Sequence, residues 1–108
     1  MKKFVFLAKY TKQGTDGWLD KPDEDRRAMI NGLAKKLGGE LIDIVYTRGE
    51  YDVVALLTAP DAEVCLSLKM AMLKTGAISE LSIQEEIDLG AIARKGSEMI
   101  GLYKAPGN

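Results

Sequence analysis

Two short runs in this chain, Phe4-Val5-Phe6-Leu7-Ala8 and Val53-Val54-Ala55-Leu56-Leu57, are apolar at every position. Successive side chains of a strand point to opposite faces, so each run would be apolar on both sides. Phe4, Phe6 and Ala8 share one face of the first, with Val5 and Leu7 on the other. In the second, Val53, Ala55 and Leu57 oppose Val54 and Leu56. Strands of this kind belong in the middle of a sheet whose two faces are both covered.

The rest of the chain supplies the elements around them. The first strand reads as Lys3 to Tyr10, and a loop with Gly14, Gly17 and Trp18 leads to Pro22, which suits the first turn of a helix. Acids after Pro22 favour that helix start, Ala28, Ile30, Leu33, Ala34 and Leu37 recur at helical spacing, and Gly38-Gly39 is the stop. The second strand spans about Glu40 to Thr47 and the third Tyr51 to Thr58. Pro60-Asp61 opens a second helix, with Val64, Cys65, Leu68, Met72 and Leu73 facing inward and Gly76 at its end. Ile78 to Glu85 alternates as an edge strand, Asp88 can cap a short helix through Lys95, and Gly96 to Asn108 reads as an irregular tail or a partner-binding arm.

Strand, helix, strand, strand, helix, strand is the α+β, ferredoxin-like βαββαβ order, with a four-stranded antiparallel sheet and the first and third strands at its centre. Two helices cover only one face of such a sheet. A second copy packed sheet to sheet is the simplest cover for the other face, and a homodimer or higher homo-oligomer is the expectation. The alternative is a monomer whose tail, Ser97 to Tyr103, folds back over that face.

Composition narrows the function classes. The 108 residues suit one domain, taken as residues 3–96 with a tail at 97–108. Fifteen Lys plus Arg balance sixteen Asp plus Glu, so no overall field favours nucleic acid or an anionic membrane. No run is long enough to span a bilayer, and Met1 to Ala8 imitates a signal peptide without a cleavage site, so a soluble cytoplasmic protein is expected. Histidine is absent, which removes Ser-His and Cys-His pairs and the simplest neutral-pH base. The single cysteine, Cys65, falls in a helix among leucines and reads as a small buried hydrophobe. Gly14-Thr15-Asp16-Gly17 lacks the lysine of a phosphate loop, and the acids at 20, 23, 24 and 25 read as a helix start, so neither cofactor nor metal is expected.

What remains is Thr47-Arg48-Gly49-Glu50-Tyr51-Asp52, between the second and third strands. Gly49 can supply positive φ in a two-residue type II′ turn, which pairs Arg48 with Tyr51, Thr47 with Asp52 and Tyr46 with Val53. Alternation then sets Tyr46, Arg48 and Tyr51 on one face, and Thr47 and Asp52 on the other. A structural role accounts for much of this: a Thr47–Asp52 cross-strand bond, and Arg48 lying on a tyrosine ring. A functional role makes Tyr46, Arg48, Tyr51 and Asp52 candidate ligand-binding residues, with Trp18 as a lid.

The run Thr47 to Ala55, followed by Ala59-Pro60-Asp61 at a helix start, resembles the GYD domain family, named for its glycine, tyrosine and aspartate. Thr11-Lys12-Gln13-Gly14, Leu33 to Gly39 and Ile83-Gln84-Glu85-Glu86 fit the same order, so the likeness covers about residues 3 to 96. The resemblance implies a dimeric α+β barrel and no particular reaction. A self-assembling module that binds a small metabolite is the first functional expectation. The competing one, by analogy of fold, is a cofactor-independent oxygenase or isomerase acting on a small cyclic or aromatic substrate, with Arg48 holding an oxygen and Asp52 moving a proton. A regulatory subunit acting through the tail is the third.

Overall fold

The computed structural model describes residues 1–107. Its elements run β1 (Lys2–Tyr10), α1 (Lys12–Asp20), α2 (Arg26–Lys36), β2 (Glu40–Tyr46), β3 (Val53–Ala59), α3 (Ala62–Lys74), β4 (Ile78–Glu85) and α4 (Leu89–Glu98). The strands form one antiparallel sheet in the order β2-β3-β1-β4, which is the ferredoxin-like arrangement. The doubly apolar strands β1 and β3 are its centre, paired from Lys2–Ala59 to Ala8–Val53.

One face of the sheet carries the core. Phe4, Phe6, Ala8, Leu41, Ile44, Val53, Ala55, Leu57, Ile78 and Leu81 are buried together, with Cys65, Ile30, Leu68 and Met72 packed on them from α2 and α3. Val5, Leu7, Val54 and Leu56 lie on the other face, outside that cluster and half-exposed. The tail does not fold back over them. Instead α4 makes no substantial contact with the sheet or the other helices among the described residues, and the described chain is 61 Å long.

Three local departures from the expected elements have physical causes. The segment expected as a loop is α1, despite two glycines that weaken a helix by about 1 kcal/mol each relative to alanine. Thr11 caps it by accepting from the Gly14 N–H, and tertiary bonds tie this end to the turn before β4: Thr11 N–H to Ala77 C=O, the Thr11 hydroxyl to Gly76 C=O, and the Gln13 amide to Thr75 C=O. Gly14 is needed for that approach, because a Cβ there would lie 2.3 Å from the Ala77 carbonyl oxygen. Second, α2 starts at Arg26, not at Pro22, because Asp25 caps it through a 3.0 Å bond from the Ala28 N–H. Third, α4 runs through Gly96 to Glu98, three residues past the expected Lys95, with Asp88 as its cap as expected.

The two glycines of α1 should therefore respond oppositely to alanine. Gly17 faces open space, and Gly17→Ala should stabilise the fold by about 0.4–1 kcal/mol. Gly14→Ala should destabilise it by about 1–3 kcal/mol, as an overpacked site does. Urea midpoints of the two variants measure both effects.

Candidate functional site

At the end of the sheet where β1 and β2 finish, three aromatic rings meet a guanidinium. Tyr10 is the last residue of β1 and Tyr46 the last of β2, and Trp18 comes from α1. Trp18 meets Tyr46 edge-on with ring centroids 4.8 Å apart, and Tyr10 edge-on at 6.5 Å. The Arg26 guanidinium lies 3.8 Å from the Trp18 ring centroid and donates to the Lys21 and Gly17 carbonyls at 2.9 and 3.0 Å. This cation spans the α1–α2 connection and has no carboxylate partner among the described residues.

A cleft lies on either side of Trp18. Asp52 and Thr15 line one with the three rings, in about 350 Å³, while Gln13, Arg26 and Ile30 line the other, in about 260 Å³. Beneath them a largely enclosed apolar cavity of about 190 Å³ lies between the sheet and helices α2 and α3. Tyr10 and Ile30 line both this cavity and the second cleft, so they form the partition between the two. An apolar chamber behind a mouth with a few polar groups is the usual plan of a small-molecule site.

The β2–β3 connection keeps the expected register and loses the expected turn. Tyr46 pairs with Val53, and the Thr47 N–H donates to the Asp52 carbonyl at 2.9 Å. The Thr47 hydroxyl then donates to the Tyr51 carbonyl at 2.6 Å, so Arg48 to Tyr51 form an open loop instead of a paired strand end. Gly49 has φ of +156°, a backbone that side chains other than glycine rarely adopt.

This loop reverses the expected division of side chains. The Asp52 N–H donates to the Ala8 carbonyl, and its carboxylate accepts from the Tyr10 N–H at 2.8 Å. Asp52 thus reaches the cleft that holds Tyr46 and Trp18. Tyr51 goes to the opposite side, 5.2 Å below the Lys9 ammonium, where Lys9 also pairs with Glu80 and Glu50. Alternation fails because β3 begins only at Val53 and the chain bends at Asp52. Arg48 is exposed on the loop. The structure therefore brings together Trp18, Tyr46 and Asp52 and separates Tyr51 and Arg48 from them. It adds Tyr10, which the sequence marks only as a strand end, and Arg26, Gln13 and Thr15, for which the sequence carries no site signal.

Two groups that line the clefts and the cavity ionise above their ordinary values. Burial, then the neighbouring Tyr10, raises the Tyr46 hydroxyl above its ordinary value, with Arg26 opposing, so the phenol stays a hydrogen-bond donor. Cys65, under the apolar cavity, is pushed up by burial, with Asp61 and Glu85 adding to the shift. Among the described residues no three His, Cys, Asp or Glu side chains cluster as metal ligands.

A group whose pKa is higher in the folded state stabilises the fold below its unfolded value and loses that effect as pH rises through the folded value. The Tyr46 contribution should thus be complete below pH about 10 and fade above it. Tyr46→Phe should remove a phenol that ionises above its ordinary value from the ultraviolet titration and flatten the alkaline fall in stability. Asp52→Ala, which leaves the Tyr10 N–H without its acceptor, should cost about 1–3 kcal/mol in chemical denaturation.

The sequence profile of the GYD domain matches residues 4–89. Among solved structures, the crystal structure of FFRP-DM1 is similar, with a TM-score of 0.50 at 16% identity, over 81% of this chain and 100% of that chain. A hypothetical protein, PHS023 from Pyrococcus horikoshii, gives a TM-score of 0.48 at 12% identity, over 82% of this chain and 92% of that chain. At such identity, the FFRP-DM1 likeness shows the fold alone. No curated protein matches the chain.

Proposed function

The chain belongs to the GYD domain family, and from that premise we propose that it is a self-assembling cytoplasmic module that binds a small metabolite without transforming it. The observation that carries this reading is the apolar cavity of about 190 Å³ partitioned by Tyr10 and Ile30 from an aromatic cleft whose arginine has no carboxylate partner among the described residues. An engineered apolar cavity of similar size, about 150 Å³, stays dry and takes up benzene. The ligand is a small, largely apolar or aromatic body with one anionic or hydrogen-bonding end. Its body enters the cavity, while Arg26, Gln13 and the Tyr46 hydroxyl meet the polar end at the mouth.

Several residues weigh against turnover. Asp52 holds a backbone N–H, Tyr46 keeps its proton at neutral pH, and Cys65 is buried with a raised pKa. None of them is a poised base or nucleophile.

Assembly follows from the uncovered sheet face. Val5, Leu7, Val54 and Leu56 make an apolar strip across the two central strands, with exposed Val45 beside it. Lys9 with Glu80 and Glu50 makes a charged rim at one end. An apolar centre inside a charged rim is the composition of a protein interface, and a second copy of the same face supplies the match.

Both parts are testable. Benzoate, as a probe with an aromatic body and a carboxylate, should raise the melting temperature and give a measurable heat of binding. Trp18→Ala should weaken that binding about tenfold or more, the scale of losing an aromatic anchor. Absence of binding by benzoate and by its neutral analogue benzyl alcohol would remove the ligand reading. For assembly, native mass spectrometry should show a dimer, and the double variant Val54→Lys, Leu56→Lys should shift the population toward smaller species while the chain stays folded. A wild-type chain that stays monomeric at every accessible concentration would overturn the sheet-to-sheet contact.

A further inference from the structure

The segment after β4 carries exposed apolar residues, is helical over Leu89–Glu98 and makes no substantial contact with the other elements among the described residues. The Glu86 N–H is still bonded to the Lys3 carbonyl, Asp88 already caps α4, and only Ile87 lies between them. No glycine occurs in that junction, so the direction of α4 is set by the end of the edge strand. The result is an arm that stands off its own body. The radius of gyration is 18.2 Å, where about 13 Å is expected for a compact chain of this length. Leu89, Ile92 and Met99 recur at helical spacing along the arm, and Ile100, Leu102 and Tyr103 extend it, all exposed. Leu102 and Tyr103 are about four-fifths exposed, as is Ile100.

A groove of matching character runs between α2 and α3 on the outer side of the helical layer. Leu33, Leu37, Val64 and Leu68 line it, and its only charged lining residues are Asp61 and Glu63. The arm from Ile87 to Lys104 carries Arg94, Lys95 and Lys104 against Asp88 and Glu98. An apolar arm with a small excess of positive charge thus matches an apolar groove with negative charge.

We propose that the arm, residues 87–104, seats in the α2–α3 groove of a second copy of this chain. The short, glycine-free junction holds the arm away from its own groove, and the charges of arm and groove are complementary. Leu33, Leu37, Val64 and Leu68 line the inner cavity as well as the groove, so a seated arm roofs the cavity from outside. This contact does not depend on a ligand being bound.

The test uses full-length chains in which Cys65→Ala removes the single native thiol. One population carries Ile92→Cys on the arm, and a second, of different mass, carries Leu33→Cys in the groove. Mixed and treated with a short thiol cross-linker, they should give a covalent adduct of the two populations, well above that formed when Lys21→Cys replaces Leu33→Cys. Arg94→Glu in the arm should lower the yield about two- to fivefold, the scale of an exposed ion pair, and Glu63→Arg in the groove should restore it. No adduct above the Lys21→Cys control would overturn the proposal. So would cross-linking only within single chains that carry both cysteines, or sedimentation of the arm with anionic phosphatidylserine vesicles in place of the adduct.

Discussion

The pairing of β1 with β3 governs the rest of the molecule. Both strands are apolar on both faces, so their union makes a sheet that water cannot be allowed to reach from either side. The chain has helices for one face, and α2 and α3 supply that cover. Everything else follows from the second face and from the ends of these strands: the half-exposed strip of Val5, Leu7, Val54 and Leu56, and the corner where β1 ends beside β2.

That corner shows how a backbone requirement becomes a site. The β1–β3 ladder stops at Ala8 and Val53, leaving the Tyr10 N–H without a strand partner on that side. The Asp52 carboxylate stands in for the missing carbonyl. On the other side β1 shifts register against β4 between Lys9 and Tyr10, with Ser79 as the extra residue. Tyr10 is thereby fixed at the partition between cavity and cleft. Its position depends on Asp52, whose carboxylate holds the Tyr10 N–H at the end of β1.

Strand faces, strand order and the caps Asp61 and Asp88 could be read from the sequence, because alternation and capping are local rules. Helix α1 could not, because its two glycines argue against a helix and its compensation comes from the turn at residues 75–77, more than sixty positions away. The placement of Tyr51 was missed for a related reason. Alternation was extended through Asp52, whose side chain answers to β1 across the sheet and bends the chain there. Arg26 escaped notice because its partners are backbone carbonyls and a distant ring, neither of which leaves a charge pattern in the sequence.

The space between the sheet and the α2–α3 layer has a mechanical consequence. Protein interiors resist compression because they are close-packed, and unfolding under hydrostatic pressure is driven by the void volume that it abolishes. This chain of 108 residues keeps about 190 Å³ open beneath its helices. The fold is therefore soft along the direction that separates α2 and α3 from β1 and β3. Any occupant of the chamber stiffens the molecule along that same direction, so filling it would register as a change in compressibility even where the backbone does not move.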